Sequence, residues 1–217
     1  MSGWGEYALA WAFFLLSHAL PVRPAIKRRI VARIGANGFT LAYSAVSVLA
    51  LGWLIIAAGR APFIALWDWA AWQRPVAQAA MLGACLLIAF AALAPNPLSF
   101  GGWRNERFDP ARPGIPGLIR HPFLAALVLW AAGHLPANGD LAHALMFAGL
   151  AGFAALGMVM IDHRRRREMG AAAFARLTAG WPHLPAQWPV RLLAGLALWL
   201  VLAALHPWLL GPSVMPF

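Results

Sequence analysis

Long apolar stretches alternate with short polar segments along the chain, and this alternation is the strongest pattern in the sequence. A helix that crosses the hydrocarbon core of a bilayer needs about 20 predominantly apolar residues. Six stretches approach or meet that length, and the first and fourth are short. They cover approximately residues 5–20, 38–59, 76–94, 118–135, 140–162 and 190–209. The pattern predicts an all-α fold, a polytopic transmembrane helical bundle of about six spans.

Basic residues gather in the segments between the apolar stretches, and their distribution predicts the topology. The loops on one side carry only Arg60 and Arg74, and Arg120 lies at a helix mouth. The loops on the other side carry Arg23, Lys27, Arg28, Arg29, Arg33, Arg104, Arg107, Arg112, Arg164, Arg165, Arg166, Arg167, Arg176 and Arg191. Because cytoplasmic loops are enriched in Lys and Arg, both termini are predicted to face outward, across the inner (cytoplasmic) membrane of a bacterium.

The composition predicts a single integral membrane domain over residues 1–217. The chain is 62% hydrophobic and 11% charged, and the charged fraction is roughly half that of a soluble domain. We read the net charge of +10 as loop orientation and contact with anionic membrane lipid, with no nucleic-acid partner. The N-terminal stretch lacks basic residues before its apolar core, which predicts an uncleaved first span. The lone Cys85 excludes a C-x-x-C-H attachment, so a porphyrin would be held non-covalently.

The segment GLIRHPFLAALVLWAAGH, residues 117–134, has polar side chains at both ends of an apolar helix. Arg120, His121 and Pro122 are predicted to begin that helix, because proline at the first helical position loses no hydrogen bond. A helix N-terminus attracts anions, and Arg120 adds a full charge, so this is a candidate site for a carboxylate such as a haem propionate. Alternatively, Arg120 extends to lipid phosphate and His121 caps the helix. Asp162 is a candidate partner for Arg120.

Two histidines within the apolar stretches are candidate metal ligands. His134 follows Phe123, Leu127 and Trp130 at spacings that place all four on one helical face, an aromatic stripe that could line a flat ligand. The alternative is ordinary packing, with His134 bonded to a carbonyl of its own turn. His18 lies at the cytoplasmic end of the first stretch, and neutral imidazole is the commonest protein ligand for transition metals. Ionisable groups in membrane spans are costly, so function is the default hypothesis.

Four stretches of the chain together resemble the NnrU family of membrane proteins and lie between residues 17 and 174. They are SHALPVRP, GFTLAYSAVS, GLIRHPFLAALVLWAAGHLPANGDLAHALMFAG and IDHRRRREMGAAAF. The resemblance implies a role in denitrification and nitric oxide metabolism. The family is similar to zeta-carotene isomerase, a haem b enzyme that shifts a cis double bond to trans. By motif, the resemblance implies His18 and His134 as haem ligands and His121 as the histidine of the RHP element, and Ala131 stands where the isomerase pattern has a cysteine.

The predicted topology favours a different pair of ligands. It places His18 and His121 in the cytoplasmic layer, whereas His134 lies about 20 Å from His121 along a straight helix. Two imidazoles that bind one iron need backbones within roughly 13 Å of each other. The pair of His18 and His134 therefore needs a tilted, broken or re-entrant first helix. All three histidines remain candidates, and His18 ranks first.

Three functional hypotheses follow. The first is a membrane protein with haem b in a cytoplasmic-side pocket, held by His18 and one of the two later histidines, with Arg120 near a propionate and Phe123 and Trp130 lining the ligand. In the second, RHP and the later REMGAAAFARLTAGWPHLP resemble the isoprenylcysteine carboxyl methyltransferase group, which uses S-adenosylmethionine, and Glu168 would be an acidic residue of its cofactor-binding segment. The third is a non-catalytic membrane accessory of nitrite or nitric oxide reductases.

Overall fold

A computed structural model describes residues 3–210, and all regular secondary structure in that range is helical, apart from one isolated β-bridge between Ala65 and Asp140. The all-α fold class is confirmed. Each predicted span coincides with a helix, and the short α6 is additional. Both chain ends, whose side of the membrane was predicted, lie outside the described residues. The α-helices are α1 (Gly3–Ala19), α2 (Pro24–Arg60), α3 (Gln73–Ala91), α4 (Pro122–Ala137), α5 (Leu141–Met169), α6 (Ala171–Thr178) and α7 (Trp188–Leu210).

Four helices of the described range, α2, α3, α5 and α7, are long and apolar enough to cross a membrane. The α4 helix is apolar but has 16 residues, a length of about 24 Å. The α1 helix has 17 residues. On α2, the side chains of Leu41, Val48 and Leu49 are 74%, 70% and 72% exposed. Contiguous apolar surface of this kind is typical of a helix that contacts lipid, and the helices indicate a membrane protein.

The α2 helix contains a break that the sequence analysis did not anticipate. Gly35 has φ 74° and ψ 169°, a conformation that residues with a Cβ atom rarely adopt. The break separates a basic segment, residues 24–34, from the apolar remainder of the helix. The prediction that this basic segment is a loop is wrong, because Pro24 starts a helix and no breaker follows before Gly35. A search for long apolar stretches does not detect such a segment.

Contacts between Cα atoms divide the chain into two compact units. Within the described residues, the first contains residues 3–68 together with Gly139–Met146, and the second contains Trp69–Asn138 and residues 147–210. In the first unit, α1 lies antiparallel to the apolar part of α2. Glu6 at the start of α1 forms an ion pair with Arg60 at 3.2 Å, and the ring of His18 at its end lies 5.8 Å from that of Tyr43.

In the second unit, α3 packs against both α4 and α7. Small residues allow this close approach: a Cβ atom added at Gly133 of α4 would collide with Ala80 of α3. The α4 and α5 helices are antiparallel, since Leu124 lies beside Gly157 and the ring of Trp130 lies 5.5 Å from that of Phe147. The tight turn PANGD between the two apolar stretches predicts this antiparallel hairpin, and the structure confirms it.

The connections on either side of α4 differ in length and regularity. The preceding segment, residues 92–121, contains two 3₁₀ turns, Asn105–Arg107 and Ile115–Gly117, and no α-helix, as its many Pro and Gly residues predicted. After α4, the carboxylate of Asp140 accepts the backbone N–H of His143 at 3.1 Å. This bond caps the N-terminus of α5, and it confirms the prediction from the sequence that Asp140 or Asn138 caps this helix.

Candidate functional site

The start of α4 is joined to α5 by an ion pair. The Arg120 guanidinium donates through Nη2 to Asp162 Oδ2 at 2.6 Å and through Nε at 3.2 Å. The predicted partnership of Arg120 and Asp162 is confirmed. The pair neutralises most of the charge on Arg120. It uses Nε and Nη2, so Nη1 is the nitrogen that remains outside it as a donor for a further anion.

His121 lies at the N-cap position of α4, immediately before Pro122, as predicted. Its side chain makes no capping bond to the helix. Its Nε2 instead lies 3.0 Å from Asp162 Oδ1, and its Nδ1 lies 3.0 Å from Ser99 Oγ. A carboxylate only accepts hydrogen bonds, so Nε2 carries the proton, and the Ser99 hydroxyl donates to Nδ1 in the neutral ring. Both nitrogens of His121 are therefore engaged by other side chains.

His121 is 4% exposed, and this burial decides its charge. Loss of hydration lowers the pKa of His121 below its usual value of 6.5, and the nearby charge of Arg120 acts in the same direction. The hydrogen bond and the charge of Asp162 act in the opposite direction, without reversing the shift. The ring is consequently neutral at pH 7, which agrees with its role as acceptor for Ser99.

Asn96 and Ser99, two buried polar residues of the preceding loop, complete this network, and the sequence analysis missed both. The Asn96 amide donates to the Arg120 carbonyl at 2.9 Å, and its side-chain oxygen accepts the backbone N–H of Leu98 at 3.1 Å. Asn105 accepts the backbone N–H of Asn96 at 2.8 Å. The only sequence signal was a pair of polar residues in a Pro-rich loop, which is usually exposed.

His134 lies near the other end of α4, among aromatic rings. Its Nδ1 lies 2.7 Å from the carbonyl oxygen of Trp130, one helical turn earlier. Its ring stacks on Phe147 at 5.3 Å and lies 5.7 Å from that of Trp130. Because a carbonyl only accepts, Nδ1 carries the proton, and the neutral ring presents the lone pair of Nε2. The bond to a turn carbonyl, foreseen as the alternative interpretation, is present together with the aromatic surroundings.

His18, in the first unit, has the same arrangement. Its Nδ1 lies 2.7 Å from the carbonyl oxygen of Phe14, so Nδ1 carries the proton in the neutral ring, as it does in His134. The ring lies 4.2 Å from that of Phe14 and 5.8 Å from that of Tyr43. His18 and His134 thus share a tautomer that differs from that of His121.

The predicted cofactor-binding residues of α4 fall into two groups. Arg120 belongs to the polar network at the start of the helix, where Phe123 also stacks on Phe100 of the preceding loop at 6.0 Å. Trp130 belongs with His134. The ligand stripe predicted from Phe123 to His134 is therefore divided between two sets of neighbours.

Other charged residues near the end of α5 are paired with each other. Glu168, the acidic residue of the methyltransferase hypothesis, accepts bonds from Arg164 at 2.9 Å and Arg165 at 3.2 Å. Within residues 3–210, no group of three or more His, Cys, Asp or Glu side chains is arranged to hold a metal ion.

Comparisons with known proteins address the identity of the chain. No curated protein and no solved structure matches it. The family model described as NnrU protein matches residues 6–214, nearly the whole chain, including both ends of α4 and the polar network. The chain therefore belongs to the NnrU protein family.

Proposed function

We propose that this NnrU family member binds haem b non-covalently, with His18 and His134 as the iron ligands. The observation that carries the proposal is their shared tautomer: each donates Nδ1–H to a backbone carbonyl of its own helix. A histidine that binds a metal through one nitrogen commonly donates its other N–H to a carbonyl or carboxylate, which orients the ring and makes the ligand more basic. Both rings meet that requirement in the protein as it stands.

The surroundings of the two rings also suit a porphyrin. His134 lies against Trp130 and Phe147, and His18 lies against Phe14 and Tyr43. Flat aromatic surfaces of this kind pack well against the face or edge of a macrocycle. With Cys85 as the single cysteine, these contacts and the iron bonds would hold the group without a thioether link.

In this proposal His121 does not bind the iron, and it holds the start of α4 to the preceding loop and to α5. Ligation by either of its nitrogens would break a hydrogen bond to Asp162 or Ser99 and leave a buried polar group without its partner. The argument from membrane depth favours His121 instead, and the proposal gives it less weight because both nitrogens of His121 already have hydrogen-bond partners. The His121→Ala variant described below tests this choice.

Arg120 is proposed to contact a propionate through Nη1, the nitrogen outside its pair with Asp162. A haem with two imidazole ligands transfers single electrons, and a displaceable ligand opens the iron to nitric oxide or to isomerase-type substrates. We accordingly propose a role in denitrification or nitric oxide metabolism, in the bacterial inner membrane with both termini outside. Components of nitrite or nitric oxide reductases are the proposed partners.

Absorption spectra of detergent-purified protein, oxidised and reduced, test this proposal. Wild type expressed with ample haem is expected to show a Soret band, and His18→Ala and His134→Ala are expected to lose or shift it. His163→Ala changes an exposed histidine and serves as the matched control. His121→Ala decides between the two arguments: an intact band supports the pair of His18 and His134, and a lost band with unchanged thermal stability supports the depth argument instead.

Two further results would favour the other two functional hypotheses over haem binding. If wild type shows no Soret band and S-adenosylmethionine raises its melting temperature, the methyltransferase function is favoured, because a ligand that binds the folded state stabilises it. If neither ligand binds and a reductase co-purifies, the accessory function is favoured.

A further inference from the structure

A large cavity lies in the second unit. The residues described above at the two ends of α4 do not line it. Its volume is about 930 Å³, within the range of roughly 300–1,000 Å³ that is typical of ligand pockets. The loop from Leu93 to Pro116 forms one wall, and the segment from His183 to Arg191 forms another. Phe90, in the last turn of α3, also lines it.

The charge of this cavity is strongly positive. Arg104, Arg107, Arg112 and Arg191 line it, with Asp109 as the single acidic residue among its lining side chains. The Asp109 carboxylate accepts a backbone N–H within its own loop, that of Ala111, at 2.9 Å.

One of the four arginines has a structural role. Arg191 donates through Nη1 to the carbonyls of Ala89, Phe90 and Ala92, at 3.0, 2.6 and 2.9 Å. These carbonyls lie at the C-terminal end of α3, where helix carbonyls lack partners within the helix. Arg191 therefore ties α7 to the end of α3, and the other three arginines are available for a ligand: within residues 3–210, none of them forms an ion pair.

The remaining walls are largely apolar and aromatic. Phe90, Trp103, Phe108 and Leu184 line the cavity, and Trp103 is 55% exposed. The cavity lies where α3 ends and α7 begins, and both helices are long enough to cross a membrane. In the predicted topology, this end of both helices lies at the cytoplasmic boundary between membrane and water, where a ligand with an anionic head and an apolar body would be accommodated.

The backbone of the cavity wall is held in an unusual shape. Leu93 and Arg104 have φ values of 58° and 50°, and within residues 3–210 they are the two non-glycine residues in the left-handed region. Such conformations persist where the surrounding structure enforces them, and they concentrate at ligand sites. A hydrogen bond from the Trp103 N–H to the Ala94 carbonyl at 3.0 Å joins the residues next to these two positions. Both Trp103 and Arg104 line the cavity.

We propose that this cavity binds a phosphate-bearing amphiphile, with Arg104, Arg107 and Arg112 contacting the phosphate and Trp103 and Phe108 contacting the apolar part. Guanidinium groups match phosphate oxygens with paired, charge-assisted hydrogen bonds, and three unpaired arginines suit a group with more than one negative charge. This site is independent of the proposed haem ligands.

Binding of dihexanoyl phosphatidic acid to the full chain in neutral detergent, measured by titration calorimetry, tests the proposal. The variant R104Q/R107Q/R112Q is expected to bind more than about tenfold more weakly than wild type, because even one lost charge-assisted bond removes roughly that factor. R28Q/R29Q/R33Q removes the same charge from exposed residues of α2 outside the cavity, and it is expected to bind as wild type does. Equal weakening in both variants, or no binding to wild type, would overturn the proposal.

A second comparison identifies the source of the phosphate. If the natural ligand is a membrane lipid, Trp103→Leu weakens binding of the short-chain lipid, and inorganic phosphate competes poorly with it. If it is a soluble phosphate compound, inorganic phosphate competes at similar concentrations and Trp103→Leu has no effect. The Soret band is expected to be the same in all of these variants, so that failure of this site and failure of the haem proposal are distinguishable.

Discussion

The two ends of α4 carry one histidine each, and the protein holds the two rings in opposite ways. At the start of the helix, His121 is engaged through both nitrogens by side chains from the preceding loop and from α5. Near the end, the bonded nitrogen of His134 contacts a carbonyl of its own helix, and the ring lies between aromatic neighbours. The residue type is the same, but the hydrogen-bond partners make one ring a structural connector and the other a candidate ligand.

The two ends also differ in what they stabilise. The network around Asp162 joins three separate segments, namely the loop, the first residue before α4, and α5. The end near His134 is joined to its neighbours by close packing, in which Gly133 lets α3 approach. We expect the first end to depend on charge and protonation and the second to depend on side-chain volume.

The largest effect is expected for Asp162→Ala. This change removes the acceptor of both Arg120 and the buried His121, and it should lower the free energy of unfolding by about 3 kcal/mol. The measurement is thermal unfolding in detergent. Glu168→Gln is the matched control: it breaks two exposed ion pairs on the same helix and should cost less than about 0.5 kcal/mol. If both variants melt alike, the network is not what stabilises the start of α4.

A somewhat smaller effect is expected at the opposite end for Gly133→Ala. The added methyl group would meet Ala80 of α3, and relieving that overlap should cost about 1–3 kcal/mol. Gly152→Ala in α5 is the control, because a Cβ atom there meets nothing within 4 Å and alanine favours helix. Melting temperatures of the two variants in detergent should therefore move in opposite directions. A stable Gly133→Ala protein would contradict the close packing of α3 and α4.

Asp140→Ala, in the turn after α4, should lower the free energy of unfolding by about 1 kcal/mol, because α5 loses its N-terminal cap. Asp140→Asn retains a capping oxygen and is expected to recover most of the stability in the same unfolding measurement. The Soret band of the proposed haem should be unchanged in both variants. Loss of that band in Asp140→Asn would show that this turn affects the ligand site and not only the helix.

The smallest effect on stability is expected from a change of pH, and it should depend on His121. Since burial lowers the pKa of His121, the folded protein binds fewer protons than the unfolded chain below pH 6.5. The corresponding stability is present above that pH and is lost as the pH falls through 6.5 toward the folded-state pKa. Melting temperatures from about pH 7.5 to about pH 5 should therefore fall more steeply for wild type than for His121→Gln. Equal slopes would contradict the buried, neutral ring.

Much of the fold was predictable because membrane insertion constrains composition strongly. The apolar stretches located all the long helices, and Pro122 and Asp140 marked the beginnings of α4 and α5. The pairing of Arg120 with Asp162 was predictable because both were assigned to one side of the membrane. The helical segment between Pro24 and Gly35 was missed because it is too basic to form a long apolar stretch, which was the pattern used to locate helices.

The polar network was predictable only in part. Asn96 and Ser99 belong to a loop whose composition is typical of exposed segments, yet both are buried. Their burial depends on how residues 92–121 pack against the start of α4. No pattern in the local sequence contains that information. The cavity with three unpaired arginines was missed for the same reason, because these residues were interpreted only as markers of the cytoplasmic side.

The sequence by itself determined that this protein is an all-helical membrane protein of the NnrU family, because apolar length, loop charge and local motifs are properties of contiguous residues. Only the tertiary structure decided which nitrogen of His121 carries the proton and which arginines stay unpaired. Those properties depend on partners such as Ser99 and Asp162, which lie 22 and 41 residues from His121 along the chain. A hydrogen bond over such a separation forms only after the helices have packed.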